Sequence, residues 1–221
     1  MRVFCFDLDD TLVSESDYVE SGLRAAGAVA DRLLEIPAGS SAEWFVGEWR
    51  RTHARDLFQA WFARFGRGTP SQIAALVQAY REHAPRIALR EGAMEVMRAL
   101  HERGHRLALI TDGHLESQRL KWASLRVEIP VEPLLFTDER GRNYWKPHPW
   151  AYELVMQRWP SADGYVYVGD NVEKDFIAPN RLGWRTVRIW SPENLRPREE
   201  GDALARATRE IETFGDLLEE A

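Results

Sequence analysis

Residues 3–12 read Val3-Phe4-Cys5-Phe6-Asp7-Leu8-Asp9-Asp10-Thr11-Leu12, an apolar run with β character that stops abruptly at a carboxylate. A second carboxylate, Asp9, follows two residues later, and a hydroxyl, Thr11, two after that. If the strand ends at Asp7 the chain must turn there. Asp7 and Asp9 then converge on one point beyond the strand's carboxyl end, which in parallel α/β sheets is where ligands bind. Converging carboxylates repel, so they need a divalent cation or a shared proton to coexist. Ligation by oxygen alone suits Mg²⁺, which takes protein carboxylates together with water and substrate phosphate. An aspartate can also act as a nucleophile. The segment is therefore either a site for Mg²⁺-dependent phosphoryl transfer or simply an acidic turn after a strand.

Further β-type runs lie at residues 105–111, 134–137, 164–170 and 186–190, with a short edge strand at 208–211. The run at 164–170 is continuous and apolar, as a strand buried on both faces is. Helical patterns separate these runs, at 92–103, 115–124, 148–159 and 175–182, and 214–218 closes the chain. In the first of them Ala93, Val96, Met97 and Leu100 share a helical face, with Gly104 as the stop. Alternation at this spacing predicts an α/β fold, a Rossmann-like parallel sheet with helices on both faces.

Residues 14–90 carry no strand pattern. Three helical patterns fill them, at 17–34, 41–65 and 70–83, punctuated by Pro37-Ala38-Gly39-Ser40 and Gly66-Arg67-Gly68-Thr69-Pro70. Ser41 and Thr69 are placed as N-caps, with Pro70 at a first helical position. The stretch predicts an all-helical cap subdomain, 14–90, inserted into a core made of 1–13 and 91–221. Trp44, Phe45, Trp49, Phe58, Trp61, Phe62 and Phe65 form an aromatic stripe at helical spacing. Such a stripe is the core of a small helical bundle, or else a substrate-facing or dimer-forming surface. Arg50, Arg51, His53 and Arg55 make a basic cluster. It is either a solvated face paired with Glu48 and Asp56 or a site for an anionic leaving group.

Three more signals stand at strand ends. Thr111 closes its strand just before Asp112-Gly113. A hydroxyl there, with Gly113 freeing backbone amides ahead of a helix, would cradle a phosphate, although an Asp-Gly turn with a capping threonine reads the same way. Lys146, in Trp145-Lys146-Pro147-His148-Pro149, would set a fixed ammonium near Asp7. Asp170 ends its strand as Asp7 ends the first, and can complete a metal site. Asp175, at a helix start, ligates through water, holds a neighbour in place, or favours the helix dipole. His114 and His148 lie beside these segments, the second in a helix-capping position.

In order and spacing, Asp7-Leu8-Asp9-Asp10-Thr11, Thr111, Lys146 and the run from Gly169-Asp170 to Asp175 resemble the four motifs of the haloacid dehalogenase-like hydrolases. The resemblance spans essentially the whole chain, and the helical insert resembles that superfamily's first type of cap. It implies that Asp7 attacks phosphorus, while Asp9 protonates the leaving oxygen and then deprotonates the hydrolytic water. Thr111, Asp112, Gly113 and Lys146 would hold the phosphoryl group, with Lys146 also orienting Asp7. Mg²⁺ would be held by Asp7, Asp170 and the backbone carbonyl of Asp9, with Asp175 binding it directly or through water. An acid at Asp9 separates the chain from the dehalogenases. The absence of lysine from 14–90 separates it from phosphonatases, which need a Schiff-base lysine in the cap. Glu91-Gly92 departs from the Pro-Gly pair common among relatives at the return from the cap. The run from Gly169 looks most like small-molecule phosphatases such as those of acylneuraminate 9-phosphate and nucleotides. The implied reaction is hydrolysis of a small organophosphate: a sugar phosphate, a sugar-acid phosphate or a nucleoside monophosphate. Cap closure would exclude water and sort substrates. The alternatives are a phosphomutase of the same superfamily and a non-catalytic sensor of a phosphorylated ligand.

Composition bounds the partners. A formal charge of −6 argues against nucleic acid. No apolar stretch reaches membrane-spanning length, and the N-terminus lacks a signal-peptide layout. The single cysteine, Cys5, excludes an intrachain disulfide and suits a reducing compartment. The expectation is a cytoplasmic monomer or homodimer whose partner is a small phosphorylated metabolite.

Overall fold

The computed structural model describes residues 1–66 and 68–221, so Arg67, inside the expected break at 66–70, lies outside the described residues. In chain order the α-helices among them are α1 (Glu15–Leu34), α2 (Ser40–Thr52), α3 (Leu57–Phe65), α4 (Pro70–Arg81), α5 (Ala93–Glu102), α6 (Leu115–Ser124), α7 (Trp150–Arg158) and α8 (Ile177–Arg181). The strands are β1 (Arg2–Phe6), β2 (Arg106–Thr111), β3 (Leu134–Phe136), β4 (Gly164–Gly169), β5 (Arg185–Ile189) and β6 (Arg209–Ile211). The chain divides into two compact units. One comprises Met1–Ser16 and Ile87–Ala221, the other Asp17–Arg86.

In the first unit all six strands pair in parallel, in the order β3-β2-β1-β4-β5-β6. Side chains alternate across β1, as strand geometry dictates. Phe4 and Phe6 join a core with Val96, Met97 and Leu100 of α5 and with Phe214 and Leu217 near the carboxyl end. Val3 and Cys5 join a second core with Tyr152 and Val155 of α7 and with Phe176 and Trp184. Helices therefore cover both faces, which is why the β4 run is apolar throughout. Burial holds the Cys5 thiol well above its ordinary value, so it packs as an apolar residue.

Beside β1 the strand order reverses, since the chain goes to one side for β2 and β3 and to the other for β4, β5 and β6. Phe6 is in register with Leu109 of β2 and Val168 of β4. Asp7, Thr111 and Asp170 consequently leave the sheet along one edge, at the switch point where such folds bind ligands.

The second unit corrects the reading of 41–65 as one helix. His53 takes a left-handed conformation (φ 50°) and its N–H closes α2 on the carbonyl of Trp49 at 2.7 Å. The Thr52 hydroxyl folds back on the Glu48 carbonyl at 2.7 Å. The break brings Phe45 against Phe58 and Trp61, with ring centroids 5.2 and 5.6 Å apart. Phe45, Trp49, Trp61 and Phe62 are buried, so these members of the aromatic stripe are core of this helical unit, while Phe65 is exposed. Arg50 and Arg51 are surface residues paired with Glu20 and Glu48. Ser41 is not the N-cap of α2. Gly39 occupies that position, and Asp31 of α1 accepts the N–H groups of Gly39 and Ser41 at 2.6 and 2.9 Å. Thr69 does cap α4, in a reciprocal capping box with Gln72. Among the described residues no helix is long and apolar enough to cross a membrane.

Candidate active site

β1 delivers Asp7 to the sheet edge, where its N–H still donates to Val168 of β4 at 2.9 Å. Lys146 enters from the loop before α7, its side chain fully buried. Its ammonium donates to Asp7 Oδ1 at 2.7 Å, to Asp175 Oδ1 at 2.7 Å and to the Tyr167 hydroxyl at 3.0 Å. Three partners match the three N–H bonds of an ammonium, which explains how so polar a group is buried here. Asp7 itself is pushed up to about 6 by burial, with Lys146 opposing the rise and the Asp175 charge adding to it.

Asp7, Asp170 and Asp175 bring one carboxylate oxygen each within 4.8 Å of one another. Asp175 is already engaged: Oδ1 takes Lys146, and Oδ2 accepts the N–H groups of Asp170 and Asn171 at 3.2 and 2.9 Å. Gly169 makes this possible, because a Cβ there would stand 2.7 Å from Asp175 Oδ2. Burial pushes Asp175 up, but Lys146 and Lys174 outweigh it and hold the carboxyl below its ordinary value. At Asp170 only the weaker opposing effect of Lys174 is felt. Burial first, then the charges of Asp175 and Asp7, raise it well above the carboxylate range. Asp7 Oδ2 is buried and, among the described residues, has no hydrogen-bond partner. An orphaned carboxylate oxygen beside a second, strongly raised carboxyl is the donor set that a divalent cation satisfies, so these residues fit Mg²⁺.

The chain leaves β2 through Thr111, Asp112 and Gly113. The Thr111 hydroxyl makes only a long 3.5 Å contact, with the Asp112 carbonyl. Gly113 has φ 131°, and a Cβ there would run into Gln118. The Asp112 carboxylate turns away from the loop to accept the Thr137 hydroxyl at 2.7 Å and the Lys146 N–H at 3.1 Å. Its other oxygen lies 3.6 Å from the ammonium of Lys174. What Asp112 and Gly113 offer a phosphate is therefore backbone N–H, just ahead of α6. His148 accepts the Trp150 N–H at 3.1 Å, a capping contact, and His114 contacts the Ser117 hydroxyl at 3.3 Å.

Asp9 stands apart from the carboxylate trio. Both its oxygens receive Lys121 Nζ, at 2.7 and 2.8 Å, and Oδ2 also accepts Gln118 Nε2 at 2.8 Å. Burial pushes Asp9 up, but Lys121 and then Gln118 hold it below its ordinary value. No local motif marks Lys121, Gln118 or Lys174 in the sequence. One signal points to all the cations involved: the chain has only three lysines, Lys121, Lys146 and Lys174, and every one lies at this cluster. The remaining basic side chains of the Lys/Arg set are arginine.

A family model described as haloacid dehalogenase-like hydrolase matches residues 1–183. Glyceraldehyde 3-phosphate phosphatase of Methanocaldococcus jannaschii is 30% identical over 195 residues, covering 83% of this chain and 82% of that protein. Phosphoserine phosphatase of Thermus thermophilus is 27% identical over 232 residues, covering 90% of this chain and 92% of its own. Among solved structures, the magnesium-bound HAD-hydrolase YfnB of Bacillus subtilis has a TM-score of 0.68 at 20% identity, covering 99% of this chain and 97% of that one. That last likeness is one of fold.

Proposed function

The chain belongs to the haloacid dehalogenase-like hydrolases and is a phosphatase, and we propose that it is a Mg²⁺-dependent phosphomonoesterase working through an aspartyl-phosphate on Asp7. The observation that carries this reading is the asymmetric environment of Asp7. One oxygen takes the Lys146 ammonium at 2.7 Å, while the other is buried beside Asp170 without a partner among the described residues. Asp7 and Asp170 would hold the cation together with the backbone carbonyl of Asp9. Asp175, its oxygens already occupied, would steady the turn at Asp170 and reach the cation through water. Mg²⁺ would supply charge neutralisation to the phosphoryl oxygens.

The chain's own residues do the rest. Asp7 attacks phosphorus and forms the acyl phosphate as the P–O bond to the leaving group breaks. Asp9, in its protonated form, gives its proton to that departing oxygen. It then takes a proton from the water that attacks the acyl phosphate, releasing phosphate and restoring Asp7. The Thr111 hydroxyl and the N–H groups of Asp112 and Gly113 would hold the phosphoryl oxygens, and Lys146 would orient Asp7 and offset its charge. Substrate selection would fall to the helical unit.

The proposed substrate is a small phosphomonoester. The two relatives are named for different substrates, so glyceraldehyde 3-phosphate and phosphoserine head a panel continued by sugar phosphates, sugar-acid phosphates and nucleoside monophosphates. Phosphate release is measured with Mg²⁺ and with EDTA, beside Asp7→Asn and Asp9→Asn. Metal-dependent release that both variants abolish is the expected result. Release that persists in Asp7→Asn would overturn the covalent route, and release in EDTA would overturn the role of the cation.

A further inference from the structure

We propose that Lys121, assisted by Gln118, is the positioning residue that aims the Asp9 carboxylate for proton transfer. The inference deepens the phosphatase reading and rests on it. Gln118 and Lys121 are three residues apart on α6 and so share a face. Both are buried, at 4% and 3% exposure, and it is the Gln118 Nε2 and the Lys121 Nζ that find partners, the Gln118 Oε1 having none among the described residues. Both donate to the same carboxylate. The second Gln118 N–H goes to the Asp112 carbonyl at 2.9 Å, so one amide ties Asp9 to the loop that would hold phosphate.

The contacts also tell the two oxygens of Asp9 apart. Each carboxylate oxygen has two lone-pair sites. On Oδ2 both are filled, by Lys121 at 2.8 Å and Gln118 at 2.8 Å. Oδ1 takes Lys121 alone, at 2.7 Å, and keeps one site open. Oδ1 is therefore the oxygen of Asp9 left open toward the leaving group and the water. A lysine suits this post because one compact nitrogen bridges both oxygens, whereas a guanidinium fork spreads its donors over two atoms. Asp9 keeps 16% of its side chain exposed against 4% for Lys121, so the clamp lies behind the carboxylate and leaves its reacting side accessible.

The test separates proton delivery from binding and folding. Two phosphate esters that the wild type hydrolyses are compared by kcat/KM: p-nitrophenyl phosphate, whose leaving group departs with little protonation, and an alkyl phosphate, whose leaving group needs it. Lys121→Met is expected to cut kcat/KM for the alkyl ester about a hundredfold, the scale of a misplaced acid, and to spare the aryl ester. Lys121→Arg is expected to restore part of that loss. In an Asp9→Asn background, Lys121→Met is expected to add little, because the two act as one unit. Gln118→Leu, which leaves the ion pair intact, is expected to show the same selectivity at smaller size and serves if Lys121→Met fails to fold. A parallel loss on both esters, or no loss on either, overturns the positioning role. A wild type that releases phosphate from no ester of the substrate panel, so that no such pair can be chosen, overturns the phosphatase reading itself, and the proposal with it.

Discussion

Lys146 Nζ lies 2.7 Å from Asp175 Oδ1, and both side chains are completely buried. Such a pair holds only when further partners complete each group. Asp7 and Tyr167 do so for the ammonium, and the N–H groups of Asp170 and Asn171 for the carboxylate. Asp175→Asn keeps the shape and removes the charge. It is expected to destabilise the protein by about 3–5 kcal/mol, read from the urea midpoint. A loss well below about 1 kcal/mol would mean that Asp7 alone compensates the buried ammonium.

Beryllium fluoride with Mg²⁺ imitates an acyl phosphate, and it should therefore stabilise this protein against heat. At a hundred times its dissociation constant the gain is about 2.7 kcal/mol. Asp7→Asn is expected to abolish the response. Because the chain has three lysines, selective isotope labelling gives a spectrum of three ammonium groups, and all three are expected to shift on trapping. Equal stabilisation of Asp7→Asn would place the bound anion elsewhere.

The site's backbone was legible in the sequence because strand ends are legible. Apolar runs that stop at Asp7, Thr111 and Asp170 mark both the sheet and the edge where side chains gather. The break between α2 and α3 was hidden because His53, not glycine or proline, takes the left-handed turn. The cap of α2 is not legible locally because its acceptor, Asp31, lies in the preceding helix α1. Lys121 and Gln118 escaped notice for another reason. Polar residues inside a weakly amphipathic helix look like surface, and only their burial against Asp9 sets them apart.

Asp31 gives the helical unit a dependence on pH. Burial pushes its carboxyl up, but the Ser41 and Gly39 donors outweigh that and leave it below its ordinary value. A depressed carboxyl contributes stability above its unfolded value, near pH ~3.9, and that contribution is lost as pH falls through the folded one. Asp31→Asn retains one acceptor oxygen of two. At neutral pH it is expected to cost about 1 kcal/mol, the worth of a helix cap. The gap from wild type should then close in acid, as thermal melts at successive pH values would show. A gap that stays constant into acid would mean that the Asp31 charge contributes nothing.

Gly27 of α1 and Gly47 of α2 invite the same substitution with opposite results. Helix propensity alone favours alanine over glycine by about 1 kcal/mol at an interior position. At Gly47 nothing lies within 4 Å of a new Cβ, so Gly47→Ala is expected to realise most of that gain. At Gly27 the Cβ would stand 2.5 Å from the backbone N and Cα of Ala42. Backbone of a packed helix cannot rotate aside as a side chain would, so the two helices must separate. Gly27→Ala is therefore expected to destabilise by about 1–3 kcal/mol despite its propensity. Melting temperatures of the two variants should move in opposite directions. If both rise, α1 and α2 do not cross as closely as Gly27 and Ala42 indicate, and the aromatic core they enclose must be packed differently.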